Sequence, residues 1–156
     1  MLYGRIAAVA GRNSGTRFSH TLRRAAKASH WCRSSALIAA VLEKRLGVNL
    51  WDQDIYLNVV GGLQVEEPAA DLAIAGAILS SLFGRPIGAS TVIFGEVGLG
   101  GEIRPAMFTD VRLKEASLLG FKRGIIPAHS TAEESPSLME TLRVSDLRQA
   151  QEVFFS

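Results

Sequence analysis

The sequence is poor in cysteine and proline, with a single cysteine, Cys32, and five prolines in 156 residues. One thiol cannot form a disulfide framework or a cysteine-rich zinc site within the chain. No apolar run is long enough to span a bilayer, and residues 1–10 lack the charged start and the length of a signal peptide. These absences predict a protein without a membrane segment, located in the cytoplasm.

Two phosphate-binding motifs are also missing. Four glycines lie close together: Gly95, Gly98, Gly100 and Gly101. A P-loop needs a lysine directly after its last glycine, and a dinucleotide fingerprint needs a helix after its glycines. Here no lysine follows, and the glycines lead into "EIRP", which has the character of a strand. The pattern therefore predicts the turn of a β-hairpin, and we expect no nucleotide cofactor in this chain.

Few side chains form a candidate reactive group. The three histidines are scattered: His20, His30 and His129. Their spacing does not converge on a metal, and Cys32 is interpreted as a small apolar residue on a helix. Three carboxylates could form an acid/base set: Glu66, Glu67 and Asp71. Glu66 and Glu67 are adjacent and cannot both face one pocket, so the favoured interpretation is that these residues stabilise the positive end of a helix that begins at Pro68.

Basic residues, by contrast, are abundant at one end. Residues 1–49 carry nine Lys and Arg against one acid, a net charge of +8, whereas the rest of the chain carries −6. One cluster is a candidate DNA contact: Arg12, Arg17, Arg23, Arg24 and Lys27. A basic cluster of this kind suits the phosphate backbone, and the alternative is a solvated helix face.

Hydrophobic residues make up 47% of the chain, which is typical of a globular protein. Turn signals and apolar runs predict one α+β domain over residues 1–156, in the order β-α-β-α-β-β-α-β-β-α. Trp51 is expected to pack between a helix and a strand, and Ser145 to cap the last helix. The predicted strands are 3–10, 54–62, 90–97, a short strand after the glycine turn within 98–105, 122–128 and 141–145, and the predicted helices are 21–46, 68–83, 110–120 and 146–155.

Three segments together carry a resemblance. They are "VLEKRLGVNLWDQDIYLNVVGGLQVEEPAADLAIAGAILSSLFGRPI", "VIFGEVGLGGEIRP" and "RLKEASLLGFKRGIIP". Over residues 36–128 the chain resembles the C-terminal domain of the bacterial RadA (Sms) family of DNA repair proteins. The resemblance implies a fold like the proteolytic domain of Lon, related to the second domain of ribosomal protein S5. Residues 11–35 depart from the family's pattern.

The same resemblance implies that a catalytic dyad has been lost. Active Lon-type peptidases carry a nucleophilic serine after the proline of G-P-S-A-G, and a lysine base downstream. When these motifs are aligned with this chain, Pro68 matches the proline, and the two reactive positions fall on Ala69 and Arg112. Alanine has no nucleophilic atom, and a guanidinium does not release its proton at neutral pH.

The family's function implies a non-catalytic role for this chain. RadA proteins act in recombinational repair as hexameric rings that drive branch migration. ATP, magnesium and zinc are bound by an ATPase core and a zinc finger that this sequence does not contain, so we expect a fragment or a single domain. The resemblance implies DNA, single-stranded or branched, and further copies of the chain as partners. The alternative is a Lon-type ATP-dependent serine peptidase domain.

Overall fold

Helices and strands alternate along the computed structural model, which describes residues 6–12, 30–59, 67–130 and 139–156. The strands are β1 (Ile6–Arg12), β2 (Gln53–Val59), β3 (Thr91–Ile93), β4 (Glu96–Val97), β5 (Ile103–Arg104), β6 (Arg123–Pro127) and β7 (Glu140–Val144). The helices are α1 (His30–Leu46), α2 (Asp71–Phe83), α3 (Thr109–Leu118) and α4 (Leu147–Phe154). The mixed α+β class predicted from the sequence is confirmed. Within the described ranges, no helix has the length and apolar character needed to cross a bilayer.

The described strands form three small sheets. The order β3-β6-β7 is parallel throughout, whereas β1 pairs with β2 and β4 pairs with β5 in antiparallel fashion. The β4–β5 pair is the hairpin that the glycine-rich segment predicts. Parallel strands need crossover connections, and α3 lies in the connection that brings the chain from β3 to β6.

Strand β6 lies in the centre of the parallel sheet and is buried on both faces. Successive side chains of a strand point to opposite faces. Ile125 accordingly belongs to a large cluster that includes residues of α1, α2 and α4, whereas Ile126 belongs to a smaller cluster. The smaller cluster includes Leu113 and Ala116 of α3. The central strand therefore forms the wall between two apolar cores.

The prediction of one continuous strand over residues 90–97 is wrong, because Phe94 and Gly95 interrupt it and separate β3 from β4. The backbone of Gly95 leaves the sheet to hydrogen-bond the start of α2. Its N–H donates to the Ala69 carbonyl at 2.8 Å, and its carbonyl accepts from the Leu72 N–H at 3.0 Å. A Cβ at Gly95 would lie 3.0 Å from Ile103 Cγ2 and 3.2 Å from Pro127 Cγ. The absence of a side chain is what allows this close approach.

The C-terminal ends of the first two helices agree with the sequence prediction. Helix α1 ends at Leu46 before Gly47, and α2 ends at Phe83 before Gly84, whose φ of 61° is the left-handed C-cap conformation. The predicted start of the first helix at Thr21 lies outside the described residues, and the described helix begins at His30.

Two local predictions are wrong. The N-cap of α4 is Asp146 rather than Ser145, because the Asp146 carboxylate accepts from the N–H groups of Arg148 at 2.9 Å and Gln149 at 3.0 Å. Ser145 lies one residue earlier, where its own N–H donates to the Gln149 side chain at 2.8 Å. Trp51 is 67% exposed in the turn before β2, so it does not pack in the core.

We predict that Gly95→Ala lowers the free energy of unfolding by about 1–3 kcal/mol, because the added methyl group overpacks a site with three close side-chain neighbours. Gly88→Ala is the control, since its Cβ would have one neighbour, Thr91 Oγ1 at 3.3 Å, in an exposed turn. Urea unfolding of both variants measures the difference. Equal stability of the two variants would contradict the importance of this contact.

Candidate functional site

The first element of the candidate site is the start of α2. A single 3-10 turn, Pro68–Ala70, precedes the helix and confirms the predicted start at Pro68. Ala69, the position that the resemblance assigns to a nucleophile, is buried, and its carbonyl accepts the Gly95 N–H. The methyl group of Ala69 offers no atom for covalent chemistry.

The second element is Arg112, the position assigned to the general base. Its guanidinium forms an ion pair with Glu67, through Nη2 to Oε1 and through Nη1 to Oε2 at 3.3 Å. Its Nε donates to the Met107 carbonyl at 2.8 Å, and the group lies 5.7 Å from the centre of the Phe94 ring. The Arg112 side chain is 12% exposed, so this arginine is a packed structural group.

The structure links the two positions to which the resemblance assigns the dyad. Glu67 lies two residues before Ala69 and binds Arg112 of α3, so the start of α2 and the first turn of α3 are held against each other. An arginine in this contact donates charge-assisted hydrogen bonds to a carboxylate, and the ion pair positions the two helices.

The acidic residues beside Pro68 do not converge into an acid/base set among the described residues. Glu67 pairs with Arg112, whereas one Asp71 carboxylate oxygen accepts from the Val97 N–H at 3.4 Å. Glu66 lies outside the described residues. Burial raises the pKa of Asp71 to about 6, since it exceeds the lowering by the Val97 hydrogen bond, and the negative charge of Glu96 adds to the rise.

A third element is the glycine turn between β4 and β5, where Gly101 has a φ of 84°. The Glu102 carboxylate covers this turn so closely that a Cβ at Gly98 would overlap it. Arg104 binds Glu102 at 2.6 Å and Glu96 at 3.2 Å. Backbone N–H donation by Glu102 itself, followed by the Arg104 hydrogen bond, lowers the pKa of the Glu102 carboxyl. The sequence analysis did not predict that Glu102 covers the glycine turn and pairs with Arg104, although Glu102 directly follows the glycines in the run "GLGGE".

The structure leaves the predicted DNA-contacting cluster untested. Arg12 is the last residue of β1, and the other four predicted contacts lie outside the described residues: Arg17, Arg23, Arg24 and Lys27. Cys32 lies on α1, as its interpretation requires. Within the described ranges, no three His, Cys, Asp or Glu residues are arranged to hold a metal ion.

We predict that Arg112→Ala lowers the free energy of unfolding by about 2 kcal/mol, because it removes a packed stem and leaves the Met107 carbonyl without this donor. Glu67→Ala is expected to cost less than about 1 kcal/mol, since the Glu67 side chain is 52% exposed. Arg112→Met, which keeps the stem, should be intermediate. Denaturant unfolding tests this order, and equal losses for Arg112→Ala and Glu67→Ala would contradict it.

We also predict a pH dependence from Asp71. Its folded-state pKa of about 6 lies above the ordinary value of 3.8, so the folded state binds the proton more tightly. The free energy of unfolding should therefore fall as pH rises from 3.8 to about 6, and Asp71→Asn should remove this part of the pH dependence. Unfolding curves of both proteins between pH 4 and about 7 measure it.

Glu96→Gln provides a second measurement of the same effect. Removing the Glu96 charge should lower the pKa of Asp71 and move the pH window downward. Stability curves that stay parallel for the wild-type chain and Asp71→Asn would show that this carboxyl has no raised pKa.

Comparison with known proteins places these elements in a family. The chain is 45% identical to DNA repair protein RadA of Pseudomonas aeruginosa over 120 residues, which cover 77% of this chain and 26% of that protein. It is 52% identical to the RadA of Synechocystis sp. over 101 residues (65% of this chain, 20% of that protein). It is 50% identical to the RadA of Aquifex aeolicus over 120 residues (77% and 27%).

The chain thus spans about a quarter of the length of these curated relatives. The family whose description reads "Subunit ChlI of Mg-chelatase" matches residues 21–130, which include Ala69, Arg112 and the glycine turn. The match extends over most of the chain, and the chain belongs to this ChlI family.

Proposed function

We propose that this chain is a DNA-binding and self-associating module of a RadA-type repair protein, built on a Lon-like scaffold without peptidase chemistry. The relatives named DNA repair protein RadA, at 45–52% identity, support the repair assignment. The module corresponds to about a quarter of those proteins. The proposal assigns no cofactor to it, and it places ATP-driven branch migration in other parts of such a protein.

The observation that carries the non-catalytic part of the proposal is the contact between Arg112 and Glu67 beside buried Ala69. A serine–lysine dyad needs a hydroxyl to attack and a neutral amine to take its proton. Here the first position is a methyl group and the second is a guanidinium held by a carboxylate and a carbonyl. The scaffold is retained while the reactive groups are replaced.

DNA binding is proposed from the relatives' name and from charge. The +8 net charge of residues 1–49 suits a polyanion, and its contribution to binding should weaken steeply with added salt. The proposed partner is single-stranded or branched DNA.

Self-association into a ring, with six copies as the resemblance implies, is proposed on the outer side of α3. Five large apolar residues are exposed on α3, in the turn before it and directly after its last residue: Met107, Phe108, Val111, Leu118 and Leu119. The buried residues of α3 are Thr109, Leu113 and Ala116, at positions on the other side of the helix. An exposed apolar strip of this kind is typical of a surface that is covered by a protein partner, here a second copy.

The proposal predicts that the purified chain self-associates in sedimentation velocity and binds fluorescently labelled single-stranded and branched DNA at low salt. Leu118→Glu, at a residue 80% exposed on α3, should shift the chain toward monomer. Leu37→Glu is the matched control, because Leu37 is an exposed leucine on α1. A basic protein of similar size and charge controls for nonspecific DNA binding.

Three outcomes would contradict the proposal. A chain that neither binds DNA beyond the charge control nor self-associates would be a structural remnant. Equal loss of association in Leu118→Glu and Leu37→Glu would remove α3 as the interface. Turnover of casein, an unstructured substrate, would favour the Lon-type peptidase alternative and require a catalytic residue other than Ala69.

A further inference from the structure

An open groove lies on the side of the molecule where α1 and α2 end and α4 passes. Its volume is about 1040 Å³, and its walls include the last turn of α1, the last residue of α2 and the outer side of α4. Four cations line it: Lys44, Arg45, Arg85 and Arg148. Glu152 is the one carboxylate among the lining residues, so the formal charge of the groove is +3.

Ion pairs among the described residues do not neutralise the charge of the groove. Arg45 donates to the Leu99 carbonyl at 3.3 Å, Arg85 to the Phe155 carbonyl at 2.8 Å, and Arg148 to the Arg45 carbonyl at 3.4 Å. Within the described part of the chain, none of these three guanidinium groups forms a salt bridge with a carboxylate. Arg104, Arg112 and Arg123, which lie elsewhere, each pair with a glutamate.

Helix dipoles offset only part of this charge. The negative ends of α1 and α2 both lie at the groove, and each is equivalent to about half an elementary charge. About two positive charges therefore remain. The backbone hydrogen bonds hold the three guanidinium groups in fixed positions, and a guanidinium in a fixed position loses less side-chain entropy when it binds an anion.

The same groove has an aromatic wall. Phe83 is 38% exposed, and its ring meets the Phe155 ring edge-on, with 5.8 Å between the centroids. The Arg85 guanidinium lies 5.0 Å from the centre of the Phe155 ring. Surfaces that combine cations with planar aromatic and guanidinium groups bind single-stranded nucleic acid, because phosphates contact the cations while bases stack on the planar groups.

We infer that this groove is a binding site for single-stranded DNA, with Lys44 and Arg148 contacting phosphates and Arg85 and Phe83 contacting bases. The inference rests on the proposed function and assigns DNA contacts to side chains other than the predicted cluster of Arg12, Arg17, Arg23, Arg24 and Lys27. Duplex DNA is disfavoured at this site, because its bases are stacked and paired and cannot reach the aromatic wall.

The test is fluorescence anisotropy of a labelled oligothymidylate strand, measured with the full 156-residue chain over a range of salt concentrations. Lys44→Gln/Arg148→Gln removes two groove cations, and we expect roughly tenfold weaker binding at low salt. The slope of log K against log[salt] should become shallower by about 1.4, since each lost single-strand phosphate contact contributes about 0.7. Arg85→Gln should weaken binding as well.

Lys114→Gln/Lys122→Gln is the matched control, because it removes two exposed positive charges that do not line the groove. It should leave the affinity and the salt slope nearly unchanged. Thermal unfolding of every variant shows that a change in binding is not a loss of folding. A duplex of equal length should bind more weakly than the single strand to the wild-type chain.

The results separate this inference from the function on which it rests. No DNA binding by the wild-type chain would overturn both. Wild-type binding that the groove variant retains, or that groove and control variants lose equally, would overturn the groove alone. Equal binding of duplex and single strand would overturn the choice of ligand. A groove variant that changes only the sedimentation of the chain would identify the groove as a contact between copies.

Discussion

The described structure depends on a pair of backbone hydrogen bonds between Gly95 and the start of α2. They connect the interruption between β3 and β4 to Ala69 and Leu72, and they satisfy two backbone groups that the interruption would otherwise leave without partners. Around this contact lie Ala69, Asp71, Glu96 and the glycine turn. Because a side chain at residue 95 would meet atoms of three other segments, the geometry of the whole site depends on a glycine there.

Much of this arrangement follows from local sequence signals. Pro68, Gly84 and the glycine run between β4 and β5 each restrict the backbone within a few residues, so the start and end of α2 and the hairpin were predictable. The strand break at Gly95 was not, because its cause is a partner 26 residues earlier in the chain. Ser145 and Asp146 are both good N-cap residues, and only the geometry of the last helix decides between them. Trp51 shows that an aromatic residue in a turn does not have to pack.

The candidate site likewise combines features that the sequence predicts with features that depend on contacts between distant residues. Composition alone located the basic N-terminal third, and the resemblance located Ala69 and Arg112, but no local pattern pairs Arg112 with Glu67 across 45 residues. The groove residues come from three helices, and their common surface exists only after folding. The family is described by a subunit of magnesium chelatase, whereas these relatives are named for DNA repair. Because the family description and the names of the relatives point to different activities, the function of this chain has to be argued from individual side chains.

The position of β6 between two apolar cores has a consequence for how the molecule unfolds. Ile125 and Ile126 are neighbours in the chain, yet each belongs to a different cluster. Neither cluster can lose its wall without exposing the other, so the helices packed on one face of the sheet and the helix on the opposite face are thermodynamically coupled through one strand of five residues. We therefore expect the two faces to form one cooperative unit, in which amide protons on both sides exchange through the same opening event.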